Sequence, residues 1–195
     1  MSGEFPGAPH TLAVHDGRLF AAYPKGEVWS FDGTTWRELG NPYGTTIACN
    51  QIHAMGVFQG ELHVGTWPEG KVAAWRGGKW IDRGRLGDST EVIGLTTYNG
   101  CLYGATIPRA EVFRHEQNDR WMSLRRLFDP PGHEPVPVGS RDGRGIADWS
   151  RASSLAVFAG KLFVSTATCY RRNLEFPRAE ESRGQVYSYT VGASA

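Results

Sequence analysis

Val57-Phe58-Gln59-Gly60-Glu61-Leu62-His63 sets a glycine between two short alternating runs, and the figure recurs three more times along the chain. It reads Val14-His15-Asp16-Gly17-Arg18-Leu19-Phe20, Thr97-Tyr98-Asn99-Gly100-Cys101-Leu102-Tyr103 and Val157-Phe158-Ala159-Gly160-Lys161-Leu162-Phe163. A glycine in that place writes a tight hairpin turn, whose left-handed backbone glycine adopts without steric cost. A second signal follows as Gly26-Glu27-Val28, Gly70-Lys71-Val72, Ala110-Glu111-Val112 and, after a longer gap, Gly184-Gln185-Val186. Eight or nine residues beyond the first three valines stand Trp36, Trp80 and Trp121. Each unit therefore predicts four antiparallel strands, in the first copy A (Leu12–His15), B (Leu19–Ala22), C (Glu27–Phe31) and D (Trp36 to Leu39).

Four strands in a repeat of about 40 residues is the length of a propeller blade, and one such sheet cannot bury both faces alone. The expected fold is all-β: a single β-propeller domain over residues 1–195, with blades near 11–40, 52–87, 92–127 and 152–190. Insertions are expected at 128–151 and 167–183. A β-sandwich shows turns at similar spacing but gives no reason for self-similarity. The last blade lacks a Trp-bearing outer strand, and an open sheet edge invites pairing. Three outcomes follow: a four-bladed ring with a ragged seam, a homodimer through the open edge of the fourth blade, or a segment of a longer propeller.

Leu62-His63-Val64-Gly65-Thr66, Leu102-Tyr103-Gly104-Ala105-Thr106 and Val28-Trp29-Ser30-Phe31-Asp32-Gly33-Thr34-Thr35-Trp36 resemble bacterial propeller repeats of the kelch and Asp-box (sialidase-like) kind. The resemblance runs from about Thr11 to Tyr189 and implies a fold more than an activity. Ser30 to Trp36 is one residue shorter than an Asp box. Such boxes are structural turns away from active sites.

Composition narrows the function classes. Twenty-one basic residues against twenty acidic ones give no electrostatic case for nucleic acid or a membrane surface. No apolar run reaches the length of a membrane span, and Met1 to His10 lacks the basic and apolar regions of a secretory signal. Cytoplasmic location is the default expectation, extracellular if the chain belongs to a longer secreted protein. Cys49, Cys101 and Cys169 are too few and too scattered for a disulfide framework. No dinucleotide fingerprint, phosphate loop or nucleophile elbow occurs, and His133-Glu134 lacks the second histidine of a zinc-protease helix. No cofactor, metal ligand or catalytic residue is assigned.

Loops carry function on a rigid scaffold. Because strands alternate in direction, the A–B and C–D turns lie on one face of the disc and the B–C and D–A connections on the other. Both large insertions fall on the second face, which is the expected functional one. Its candidate ligand-binding residues are Tyr23, His53, Trp67, Arg109, Tyr170, Arg171 and Arg172. Tyr23, Trp67 and Ile107 precede prolines at the end of strand B, and rings beside charged groups suit the C–H faces and hydroxyls of sugars. His10 and His53 share one place, seven residues before the turn glycine, where Ile93 and Ser153 stand in the other copies. Two histidines near a pore could hold a metal or move protons, but with only two of them a repeat position without that duty accounts for them better. Asp88-Ser89-Thr90-Glu91 offers carboxylates beside the pore.

The expected function is non-catalytic recognition of a glycan or a protein loop on the B–C/D–A face. Two alternatives stand beside it: a sialidase-like glycoside hydrolase relative, for which Arg109, Arg171 and Arg172 would have to converge on one pocket, and a structural segment of a larger propeller protein.

Overall fold

A computed structural model describes residues 8–23, 25–44, 49–127, 148–170 and 184–191, with the side chains of 148–149 and 168–170 outside that description. It is a β-propeller of four sheets. The first is β1 (Thr11–His15), β2 (Arg18–Ala22), β3 (Val28–Phe31) and β4 (Trp36–Gly40), in that order. The second is β5 (Cys49–Phe58), β6 (Glu61–Pro68), β7 (Lys71–Arg76) and β8 (Lys79–Arg85). The third is β9 (Glu91–Tyr98), β10 (Cys101–Ile107), β11 (Glu111–His115) and β12 (Trp121–Arg126), with a single 3-10 turn at Gln117–Asp119 before its last strand. The fourth has three described strands, β13 (Asp148–Phe158), β14 (Lys161–Tyr170) and β15 (Val186–Tyr189), without an outer one.

The four hairpins are two-residue turns, with φ of 48° and 68° at Asp16-Gly17 and 46° and 74° at Asn99-Gly100. Positive φ at both central positions matches the right-handed twist of the flanking strands, which is why Asp-Gly and Asn-Gly stand there. The fourth hairpin is longer than expected: residues 148–151 and 167–170, placed within insertions by the sequence, pair with one another. Residues 128–147 and 171–183 lie outside the described residues.

The core forms between blades. Phe20, Ala22 and Val28 of the first blade pack on Ile52, Leu62, Val64 and Ala73 of the second. Ala54, Phe58, Val72 and Leu86 of the second then meet Val92, Leu102 and Phe113 of the third. Tyr98, Tyr103 and Val112 meet Ala152, Leu162 and Val164 of the fourth. The second and third sheets are apolar on both faces because each is sandwiched between neighbours, so the turn leucines at 62, 102 and 162 face back while the valines at 28, 72 and 112 face forward. Gly65 permits the close approach of β9: a Cβ there would stand 2.6 Å from Val92 Cγ1.

The strand-D tryptophans tie neighbouring blades at the rim. Trp80 donates its Nε1–H to Leu39 O at 3.0 Å, and Trp121 donates to Arg83 O at 2.7 Å. Arg83 spans the same boundary, binding Glu61 at 2.8 Å and Asp119 at 3.1 Å. Asp32 Oδ1 accepts backbone N–H bonds from Thr34 and Thr35 at 2.9 and 2.8 Å. These bonds hold its carboxyl below the usual value. Asp32 thus shapes a C–D turn, on the face opposite the insertions. No helix of the described residues is long and apolar enough to cross a membrane.

Candidate functional site

The inner strands β5, β9 and β13 each carry a β-bulge near their first residues. The ladder skips His53 between Ile52 and Ala54, Ile93 between Val92 and Gly94, and Ser153 between Ala152 and Ser154. Ahead of β1, His10 N donates to Ala22 O at 3.0 Å, although Ala22 already pairs with Thr11. The position shared by His10 and His53 is therefore a bulge in the second, third and fourth blades, and in the first it stands just ahead of the ladder. Bulges re-aim side chains, and they cluster beside functional sites. Residues in a bulge are released from the ladder, so the position tolerates His, Ile and Ser alike.

The bulges gather polar side chains at the axial mouth of the insertion-bearing face. The His10 and His53 rings stack with centroids 5.0 Å apart and planes inclined by 21°. His53 Nε2 lies 2.7 Å from Gln51 Oε1, which can only accept, so the bond requires the Nε2–H tautomer. Glu91 Oε1, from the next blade, is 3.5 Å from the same nitrogen. Gln51, Glu91 and Arg151 each stand nine residues before a turn glycine, one per blade.

Burial controls the charge of this cluster. The Glu91 side chain is 15% exposed. Its carboxyl is pushed up from 4.5 to about 7 by burial, against the pull of the Arg151 charge. His53 is shifted the other way, below its ordinary value, first by burial and then by the charges of His10 and Arg151. At neutral pH the mouth thus presents a neutral imidazole and a carboxyl divided between its two forms. Such a pair can donate, accept or pass a proton.

The other expected residues have different places. Trp67, the penultimate residue of β6, is half-buried and stands directly across the ladder from Gln51, so its side chain lies on the same sheet face. Tyr23 is half-buried at the end of β2, and its backbone closes the B–C turn through Glu27 O at 2.8 Å. Arg109 sits in the third B–C turn, joined to Ser150 by an isolated parallel bridge. Its neighbour Ala110 donates to Ser150 O at 2.9 Å. Tyr170 ends β14 opposite Asp148, with its side chain outside the description. Arg171 and Arg172 lie outside the described residues. Of the expected set, His53 and Trp67 are linked through Gln51, which bonds the one and pairs across the ladder with the other.

Gln51 and Arg151 were not signalled by residue type. They become visible when the repeats are aligned on the turn glycine, because that column reads Ala8, Gln51, Glu91 and Arg151 in an otherwise apolar pattern. The Cys49 thiol, near the start of β5, is buried and raised to about 12 by that burial, which makes it a poor nucleophile. Among the described residues, no three or more His, Cys, Asp or Glu side chains are arranged to hold a metal ion.

No protein-family model matches the chain, and no curated protein matches its sequence. Solved structures do. Virginiamycin B lyase from Staphylococcus aureus superposes with a TM-score of 0.60 at 11% identity, over 96% of this chain and 58% of the lyase. The computationally designed Ika4 protein gives 0.58 at 13% identity, over 98% of this chain and 96% of its own. The extracellular domain of the putative one component system BT4673 from B. thetaiotaomicron gives 0.61 at 14%, over 93% of this chain and 22% of that one. At these identities the likeness is one of fold. The chain spans little more than half the length of the lyase it matches.

Proposed function

We propose that this chain is a ligand-binding propeller whose ligand seats at the axial mouth of the B–C/D–A face, and that the ligand is a glycan. The observation that carries the reading is the meeting of Gln51, His53 and Glu91, from two successive blades, around one imidazole nitrogen. A site of this kind offers an amide, a neutral ring and a carboxyl within a few ångström, suited to the paired donors and acceptors of sugar hydroxyls. Trp67, on the same sheet face as Gln51, adds a ring on which a sugar C–H face can stack.

A glycan array followed by calorimetric titration of the best-bound sugar tests it. Gln51→Ala and His53→Ala should each weaken binding about tenfold, the cost of one to two hydrogen bonds lost in a partly buried site. A blank glycan array alongside capture of displayed peptide loops would replace the glycan with a protein ligand. Binding that ignores both substitutions would remove the mouth as the site.

A second reading is favoured by one feature. A carboxyl raised to about 7 by burial has the form of the general acid of a glycoside-cleaving enzyme. A fluorogenic glycosidase panel separates the two: turnover abolished by Glu91→Gln supports the enzyme, and binding without turnover supports recognition alone.

A further inference from the structure

Three blade interfaces are filled, and the two halves of a fourth are bare. The forward face of a blade presents the valine of strand C and the aromatic residue two positions before the turn glycine. Val28, Val72 and Val112 are 0%, 0% and 5% exposed, while Val186 in the fourth blade is 71% exposed. Phe58 and Tyr98 are 9% and 7% exposed, while Phe158 is 73% exposed. Tyr98 shows what this position does when satisfied: its hydroxyl donates to Gly160 O of the following blade at 2.8 Å. His15 likewise reaches Gly60 O at 3.1 Å.

The backward face of the first blade is bare in the complementary way. Leu95 is packed against the preceding blade at 8% exposure, whereas its counterpart Leu12 is 56% exposed. Leu62, Leu102 and Leu162 are buried against the preceding blade, and Leu19 is only half-buried. Among the described residues, none of the core clusters joins the fourth blade to the first. Exposed apolar surface of this kind, contiguous with a built core, marks an interface.

We propose that a second copy of this chain fills both gaps, the first blade of each copy packing on the fourth blade of the other. The occupant is argued from the repeat itself. The surface that fits the forward face of a blade is the backward face of another, three times over within the molecule. Among the described residues, the unpaired backward face is that of the first blade, which shares no core cluster with the fourth. Head-to-tail packing of this kind closes into a ring when the rotation permits. Two copies give eight blades, within the four to eight typical of propellers, and three would exceed it. The partner would contact the bare faces of the terminal blades, where Leu12, Phe158 and Val186 are exposed. The ring would set two copies of the Gln51–His53–Glu91 mouth around one axis.

Size-exclusion chromatography with light scattering on the full chain tests the proposal. The expected mass is twice that of the chain. Phe158→Glu and Leu12→Glu, both at exposed positions of the single chain, should each give a monomer with an unchanged far-ultraviolet spectrum. Mixing the two variants should restore a dimer, because one of the two seams is then wild type on both sides. A monomeric wild-type chain at tens of micromolar would overturn the proposal. So would a dimer that survives both substitutions, or one that the mixture fails to restore.

Discussion

Replacing Glu91 by Gln removes one titrating group from the axial mouth and leaves a neutral isostere of its protonated form. The wild-type carboxyl is raised from 4.5 to about 7, chiefly by burial. An acid raised in the folded state contributes stability that is fully present below its unfolded value. That contribution is lost as the pH rises through the folded value. The window for Glu91 therefore opens near pH 4.5 and closes somewhat above 7. At 1.36 kcal/mol per unit, the full loss is on the order of 3 kcal/mol. Its side chain is only 15% exposed, so solvent screening removes a minor part of this. Urea unfolding of both proteins, followed by tryptophan fluorescence from pH 5 to pH 9, measures the difference directly. The two should be nearly equal in stability at pH 5. By pH 9 the Glu91→Gln protein should be the more stable by about 2–3 kcal/mol. Parallel stability curves across that range would refute the claim that Glu91 is a buried carboxyl driven towards neutrality.

Other positions make separate predictions. His63, buried between the second and third blades, is depressed to about 4 by burial. A base lowered in the folded state contributes stability above its unfolded value and loses it as the pH falls through the folded one. His63→Gln should therefore flatten the acid limb below pH 6.5, and a loss of stability on acidification as steep as wild type would contradict this. Trp121→Phe deletes the donor to Arg83 O and should cost about 1–2 kcal/mol in urea unfolding, with no change if the rim bond is idle. Gly65→Ala drives a Cβ to within 2.6 Å of Val92 Cγ1 and 2.8 Å of Val92 O. It should lower the unfolding free energy by about 1–3 kcal/mol, and an unaltered midpoint would mean the blades are not in contact there.

The parts of the fold that were legible are those whose cause is local. Asp16-Gly17 and Asn99-Gly100 declare their turns because only a few residues accept positive φ at both positions. Val28, Val72 and Val112 declare strand C because they recur eleven or twelve residues after the turn glycine. The function of Trp80 and Trp121 was not legible, since each bonds a carbonyl 41 or 38 residues earlier that no spacing rule connects to it. The mouth was half legible. His53 was singled out as a residue type, but the bulge that turns it toward Gln51 and Glu91 is a break in pairing register. Sequence alternation does not mark such a break. Arg109 illustrates the opposite case. Charge alone made it a candidate, while the structure ties its turn to Ser150 through the backbone.

The central functional claim is that ligand binds at the mouth formed by His53, Gln51 and Glu91. The histidine C–H resonances of the protein report it most directly, because the rings sit in distinct places. His53 lies at the mouth, His15 beside the hairpin turn on the opposite face, and His63 in the interior. On titration with a sugar selected by the array, the account predicts that the His53 resonance moves and its apparent pKa shifts, while those of His15 and His63 stay in place. A bound sugar that leaves His53 unmoved, or moves His15 instead, would contradict it.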